Sequence, residues 1–229
     1  MNKQTFLSFL LLLFLQVSIM AQNCDYMRKY KKGTIFQFSS FDKKGKLTSG
    51  DESSVVIDKI PTTSGWELQI GTQGKDKEGK PFQRVLLRTK CENGVYVMDM
   101  KENVQLPIDS TNMTSTTLTG DAFKYVDVAV GNSQPDAYLE YATKIYGANF
   151  MKVKMKSFNR KVVAIENVTT SAGTFECFKI TFDWEVKVLA TQKGTTIEYW
   201  SKDYGIVKTT RYNSKGKEEG RYELTKFQE

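Results

Sequence analysis

Apolar and polar residues alternate one by one over much of this chain, and this period of two is what most limits its fold. In "FMKVKMK", residues 150–156, Met151, Val153 and Met155 alternate with three lysines. Successive side chains of a β-strand point to opposite faces of a sheet, so such a segment has one buried and one solvated side. The pattern therefore predicts strands that belong to an antiparallel sheet.

The longest alternating run is "TFECFKITFDWEVKV", residues 174–188, which predicts one long, curved strand. Short turns separate the runs. "DKKGK", "DKEGK" and "SKGK" each place a glycine after charged residues, as hairpin turns do where one residue must adopt a positive φ. Together these runs and turns predict a meander of consecutive antiparallel strands.

Two segments lack this alternation. Residues 109–120 are rich in Ser and Thr with little periodicity, which predicts a loop or mobile lid. Residues 133–147, "SQPDAYLEYATKIYG", favour a short helix: Ser133 and Asp136 offer an N-terminal cap and Gly147 a stop. At helical spacing, one stripe of that helix would contain Tyr138, Tyr141, Ala142 and Ile145.

The first residues are typical of a secretory signal peptide. Lys3 precedes an apolar stretch of about ten residues, shorter than the roughly 20 residues that cross a bilayer. We expect cleavage after Ala21, which leaves residues 22–229 as a single domain in the periplasm or outside the cell, with no membrane span. A retained N-terminal anchor is the alternative.

The amount and distribution of charge do not indicate a nucleic-acid partner. The full chain has a formal charge of +7, and loss of Lys3 with the signal peptide leaves +6, spread along the sequence without a basic block. Such a surface favours anionic partners such as phospholipid headgroups or polyanionic glycans, or is simply a solvated exterior.

Export makes the three cysteines candidates for disulfides. Lipid attachment at Cys24 needs small residues before it, and Gln22 and Asn23 are large and polar, so we expect no lipobox. Cys24 lies in an otherwise untethered N-terminus and Cys91 precedes an "ENG" turn. A Cys24–Cys91 disulfide would stabilise that terminus, and it leaves Cys177 unpaired.

Few residues could support catalysis. The chain has no histidine, which excludes Ser-His-Asp and Cys-His mechanisms, and its scattered cysteines predict no metal site and no cofactor. Asp183 and Glu185 share one face of a strand, about 7 Å apart, which is near the spacing of a glycosidase pair. A solvated outer face is the alternative. Cys177 beside Lys179 could be a redox-active thiol or a packed structural one.

The apolar strand faces are the best candidate for a binding surface. Aromatic and thioether side chains make a deformable lining, and a sheet curved around them could hold an acyl chain or a hydrophobic peptide. An ordinary filled core is the alternative. The candidate ligand-binding residues are Trp66, Leu68, Ile70, Met98, Met100, Met151, Val153, Met155, Phe178, Ile180, Phe182 and Trp184.

"NRKVVAIENVTTSAGTFECFKITF", "KCENGVYVMDM" and "EYWSKDYGIVKTT" resemble the TapB-like family of uncharacterised exported proteins of Bacteroidetes. The resemblance covers most of the mature chain, although Ser171 stands where the family favours proline. It implies a lipoprotein-carrier (LolA/LolB-like) fold: mainly β, one strongly curved antiparallel sheet forming a half-open barrel, with a short helix or loop over its concave side. It also suggests the Cys24–Cys91 pairing and supplies no catalytic residue.

These observations predict an exported, non-enzymatic envelope protein. Its concave face would bind a lipid, a lipidated segment such as that of a lipoprotein, or another apolar ligand. One alternative is a structural or protein-interaction module with a filled core, which would bind an envelope protein partner. A glycan hydrolase that uses Asp183 and Glu185 is a third.

Overall fold

The structure is a computed structural model that describes residues 24–49, 53–75, 81–99, 114–145 and 148–229. The predicted signal peptide, residues 1–21, and Met100 lie outside these ranges. No helix within them has the length and apolarity that a membrane crossing requires.

The described residues form β-strands joined by turns and loops, and all fourteen strands belong to one antiparallel sheet. The predicted single antiparallel sheet is therefore confirmed. The strands are β1 Ile35–Asp42, β2 Leu47–Ser49, β3 Ser53–Thr62, β4 Gly65–Lys75, β5 Pro81–Glu92, β6 Val95–Met98, β7 Thr114–Gly120, β8 Phe123–Val126, β9 Ala137–Ile145, β10 Ala148–Thr170, β11 Gly173–Lys187, β12 Thr191–Ser201, β13 Gly205–Asn213 and β14 Glu218–Gln228.

The order of the strands forces the sheet to curve. It runs β7-β9-β10-β11-β12-β13-β14-β1-β3-β4-β5-β6-β8, with β2 paired to β1 at the side. The two outermost strands are consecutive in the chain, because β7 ends at Gly120 and β8 begins at Phe123. Three Cα-to-Cα steps span at most about 11 Å, so the two edges must come close together. No ladder joins β7 to β8 among the described residues, so the sheet does not close. We call the gap between its two edges the seam.

Side chains bridge this seam where strands do not. The Val126 N–H of β8 donates to the Gln134 side-chain oxygen at 2.8 Å, and the Gln134 amide nitrogen donates back to the Val126 carbonyl at 3.0 Å. The Gln134 backbone N–H in turn donates to the Arg160 carbonyl of β10 at 2.8 Å. Gln134 thus imitates one step of a missing strand and satisfies part of an open sheet edge.

The predicted helix over residues 133–147 is wrong. Residues 137–145 form β9, which pairs with β10 on one side and β7 on the other. Its buried residues, Ala137, Leu139 and Thr143, follow the period of a strand. Short helices are marginal in water, and Tyr and Thr in this segment favour strands, so pairing on both sides overrides the helical stripe.

The predicted loop over residues 109–120 is also wrong where the structure describes it, since Thr114–Gly120 forms β7. Thr is a strand-favouring residue, and neighbouring β9 supplies a partner for the backbone groups of β7. Residues 109–113 lie outside the described ranges.

The predicted Cys24–Cys91 disulfide is confirmed, with the two Cα atoms 5.8 Å apart. It ties the N-terminal segment to β5 beside Trp66, whose indole N–H donates to the Cys24 carbonyl at 3.4 Å. Gly65 allows β4 to lie close to β5 beside the disulfide, because a Cβ there would lie 2.0 Å from the Cys91 carbonyl oxygen. Cys177 is unpaired and fully buried.

Aromatic rings fill one end of the curved sheet. Trp200 of β12 is fully buried, with the Tyr125 ring stacked on it at 5.2 Å and the Tyr26 ring edge-on at 5.0 Å. Tyr96 lies between Trp66 and Trp200 at ring distances of 6.1 and 6.3 Å. Strands from both halves of the sheet therefore meet through this cluster, which we call the aromatic core.

Candidate functional site

The structure divides the candidate ligand-binding residues between a filled part and an open part. In the filled part, Trp66, Leu68, Ile70 and Ile180 are buried in the hydrophobic core, and Met98 and Phe178 pack against it. Met151 is exposed and Val153 is half-buried.

Met155, Phe182 and Trp184 instead line an open cavity of about 200 Å³ on the inner face, the face that carries Trp200. The other residues that line it are Asp121, Phe123, Ala137, Tyr138, Leu139, Lys156, Ser157, Val186, Thr196 and Arg211. Aliphatic, aromatic and thioether side chains predominate, so the cavity favours an apolar occupant.

The cavity exists because the residues beside one large ring, that of Trp184, are small. In the ladders of β9, β10 and β11, Ala137 is opposite Ser157, and Ser157 is opposite Trp184. On its other side Trp184 faces Gly194 of β12. Directly opposed residues share a face of a sheet, so the indole has only small neighbours across the strands and the sheet is left unfilled around it.

A charged group lies at the edge of the cavity. The Arg211 guanidinium stacks over the Trp184 ring at 3.9 Å from its centroid, and its Nε lies 3.4 Å from a Glu219 carboxylate oxygen. Its side chain is 48% exposed, so its remaining N–H groups can reach a ligand. Asp121, on the link between β7 and β8, is the acidic residue that lines the same cavity.

A buried polar group separates this cavity from the aromatic core, and sequence analysis missed it. Arg160 is 1% exposed and donates from Nη1 to the carbonyls of Lys124 and Pro135 at 3.0 and 2.7 Å. Its guanidinium lies 4.8 Å from the Phe123 ring and 4.9 Å from the Tyr125 ring. The Tyr125 hydroxyl donates to Glu198 at 2.8 Å.

Burial dominates the electrostatics of this group. It raises the pKa of Glu198, while the charge of Arg160 and the Tyr125 hydrogen bond oppose that rise. Burial also raises the pKa of the Tyr125 hydroxyl well above its ordinary value. These side chains fix the packing of the interior rather than present a reactive surface.

An irregularity in β10 places Arg160 inside. The ladder register shifts between Phe158 and Lys161, and Asn159 adopts φ of 56°. A bulge adds one residue, so the inner set changes from odd positions such as Ser157 to even ones such as Arg160. Asn in a lysine-rich and arginine-rich strand is the one signal in the sequence, and it is too weak to reveal the bulge.

The candidate catalytic residues Asp183 and Glu185 both lie in β11, two residues apart. Asp183 accepts a hydrogen bond from the Asn159 amide at 2.8 Å, and Glu185 lies opposite Lys156 on the outer face. Burial raises the pKa of the Cys177 thiol to about 12, so the reactive thiolate considered from sequence is disfavoured. Among the described residues, no group of three or more acidic, Cys or His side chains is arranged to hold a metal ion.

Comparison with known proteins gives a family and a fold. A family model described as DUF3108-like matches residues 31–224. A crystal structure of a predicted exported protein with a YmcC-like fold from Bacteroides fragilis superposes with a TM-score of 0.71 at 22% identity, covering 90% of this chain and 100% of that one. A predicted lipoprotein from Parabacteroides distasonis gives the same TM-score and identity, covering 90% of this chain and 99% of that one.

No functionally curated protein matches this chain. At 22% identity the two solved structures show the fold alone. The predicted resemblance to exported Bacteroidetes proteins is confirmed at that level. The TapB-like name and the lipoprotein-carrier likeness stay predictions.

Proposed function

This chain belongs to the DUF3108-like family, and from that premise we propose that it is an exported, non-enzymatic envelope protein that binds an acyl chain in its inner cavity. The observation that carries the proposal is the apolar cavity beside Trp184, with the exposed Arg211 at its edge. The exported and lipoprotein descriptions of the two structural relatives support a periplasmic or secreted location.

The cavity suits an acyl chain better than a large ligand. Pockets for drug-sized molecules measure about 300–1,000 Å³, whereas an apolar cavity of about 150 Å³ already holds one benzene ring. A cavity of about 200 Å³ therefore accepts part of an aliphatic chain. Arg211 is placed to meet a carboxylate or phosphate at the other end of that chain.

Chain length is the sharpest test. Each methylene that leaves water contributes about 0.8 kcal/mol, so affinity should rise about fourfold per methylene until the cavity is full and then level off. The measurement is displacement of a fluorescent fatty acid from delipidated protein by saturated acids of increasing length. Equal displacement at all lengths, or no saturable uptake of the probe, would contradict acyl binding.

A matched pair of variants tests whether the ligand binds in the inner cavity. Ala137→Leu fills the inner cavity, whereas Ala142→Leu adds the same bulk to the opposite face of β9. We expect the first to abolish uptake of the probe and the second to leave it unchanged. If both variants bind as the wild type does, the ligand site is elsewhere.

One observation favours a second candidate, a structural or protein-interaction module. Trp200 is fully buried, and about half of the predicted ligand-binding residues belong to the hydrophobic core or pack against it. In that case delipidated protein takes up no probe, and affinity capture from envelope extracts recovers a stable protein partner.

A further inference from the structure

One end of the curved sheet carries an unusual concentration of lysine. The turns after β1, β11 and β13 are neighbours there: Asp42 pairs with Gly220 beside the β13–β14 turn, and Asn213 pairs with Gly194 beside the β11–β12 turn. We call residues 42–46, 187–193 and 213–217 the lysine rim. It contains seven lysines and one acidic residue, Asp42.

The opposite end of the sheet provides an internal reference. The turns that join strands there, residues 62–65, 92–95, 170–173 and 201–205, contain one lysine, one glutamate and one aspartate. The N-terminal segment that packs against the last of these turns adds Arg28, Lys29, Lys31 and Lys32. Arg28, Lys29 and Lys31 are ion-paired there with acidic side chains, whereas the rim has seven lysines and one acidic residue. None of its seven lysines forms an ion pair within the described part of the chain.

Two of the three rim turns are also held in fixed shapes. The Asp42 carboxylate accepts the backbone N–H groups of Lys44 and Lys46 at 2.8 and 2.9 Å. The Asn213 side-chain oxygen accepts those of Lys215 and Lys217 at 2.9 and 3.1 Å in the same way. The five lysines of these two turns therefore project from ordered backbone, which lowers the entropy lost when they meet an anionic surface.

The β11–β12 turn adds exposed apolar side chains in the middle of this charge. Leu189 is 100% exposed and Val188 46% exposed, and they are flanked by Lys187 and Lys193. Val186, two residues before Val188, lines the inner cavity. Val188 and Leu189 are thus adjacent to the cavity that the proposed function assigns to an acyl chain.

We propose that the lysine rim docks on an anionic lipid bilayer, with Val188 and Leu189 entering the boundary between headgroups and acyl chains. Lysines near an anionic membrane each contribute to binding, and apolar side chains on a basic surface deepen it. A stable protein interface buries about 1,200–2,000 Å², far more than two side chains at a tip supply, so the features fit a bilayer better than a protein partner.

Vesicle flotation tests the docking surface with the full mature chain. We expect binding to phosphatidylcholine vesicles only when they contain phosphatidylglycerol, and a loss of binding as salt rises. Leu189→Ser should weaken binding about tenfold. Val130→Ser, which removes another exposed apolar side chain away from the rim, should leave it unchanged.

A charge pair completes the test. Lys187→Glu with Lys193→Glu should weaken binding by about tenfold or more, whereas Lys32→Glu with Lys226→Glu, at the opposite end of the sheet, should not. Equal binding to neutral vesicles, equal effects of the two charge pairs, or full binding by Leu189→Ser overturns the proposal. Loss of docking with normal uptake of the acyl probe leaves the proposed function standing, so the two hypotheses fail separately.

Discussion

The two ends of the sheet differ in how their interiors are packed. At one end Trp200 is enclosed by Tyr26, Tyr96 and Tyr125, and the Cys24–Cys91 disulfide ties the N-terminal segment across it. At the other end small residues surround Trp184, a cavity stays open, and lysine-bearing turns form the rim. The same alternating strands run through both ends, so the difference comes from side-chain size and charge and not from the fold.

Stability and the proposed ligand binding should therefore depend on different ends of the sheet. A filled interior gains dispersion and burial energy from every contact, whereas a cavity gives up those contacts and must be held open by the rest of the molecule. Arg160 of β10 and Glu198 of β12 lie at the border between the ends, where they hydrogen-bond to Lys124 and Tyr125 of β8. We therefore expect mutations to divide into those that unfold the chain and those that change ligand affinity.

The largest expected effect is that of Trp200→Ala. It removes a fully buried ring from the aromatic core and should lower the free energy of unfolding by about 3–5 kcal/mol. Trp184→Ala removes the same side chain beside an existing cavity and should cost clearly less. Denaturant unfolding measures both. Equal losses, or a larger loss for Trp184→Ala, would show that the open end is packed as tightly as the filled one.

How far the sequence predicts the two ends depends on the range of the contacts. Alternation within "TFECFKITFDWEVKV" predicts β11, because a single strand already carries that signal. The Cys24–Cys91 disulfide spans 67 residues, and its prediction needed no strand pairing because it followed from export and from the positions of the two cysteines in the sequence. β9 was predicted wrongly as a helix, since its strand pairing depends on β7 and β10, which the segment itself cannot show.

The cavity and the seam depend on contacts that are distant in sequence. Ser157, Trp184 and Gly194 make the cavity only because three strands bring them into register. Gln134 and Val126 meet across an edge whose existence follows from the order of the strands. The candidate list from sequence therefore did not separate residues that line the cavity from residues of the core.

The next largest effect concerns the disulfide at the filled end. Cys24→Ser with Cys91→Ser opens a loop with a sequence separation of 67 residues and should lower the free energy of unfolding by about 2–4 kcal/mol. The acyl affinity should stay unchanged while the protein is folded, because the cavity lies at the other end. Chemical denaturation and probe titration on the same samples check this. Weaker acyl binding by the folded variant would contradict the separation of the two ends.

The pH dependence of stability tests the buried group at the border between the two ends. Burial raises the pKa of Glu198 above its usual 4.5, so the folded chain binds this proton more tightly than the unfolded chain. This group's contribution to stability therefore falls as pH rises from about 4.5 through the raised pKa. Glu198→Gln lacks this pH-dependent component. The free energy of unfolding of the variant should therefore increase relative to that of the wild type as pH rises across that interval. A difference between the two proteins that stays constant with pH would contradict the prediction.

The smallest expected effect on stability is that of Arg211→Gln at the open end. Its side chain is exposed, so the free energy of unfolding should change by no more than about 0.5 kcal/mol. Affinity for a fatty acid should fall about fivefold, which corresponds to about 1 kcal/mol for an exposed ion pair, while affinity for the alcohol of the same chain length stays the same. Arg221→Gln is the matched control, because that guanidinium also covers an aromatic ring, Phe41, and does not line the inner cavity. If the acid and the alcohol lose affinity equally in Arg211→Gln, then Arg211 supports the Trp184 wall of the cavity and does not meet the headgroup.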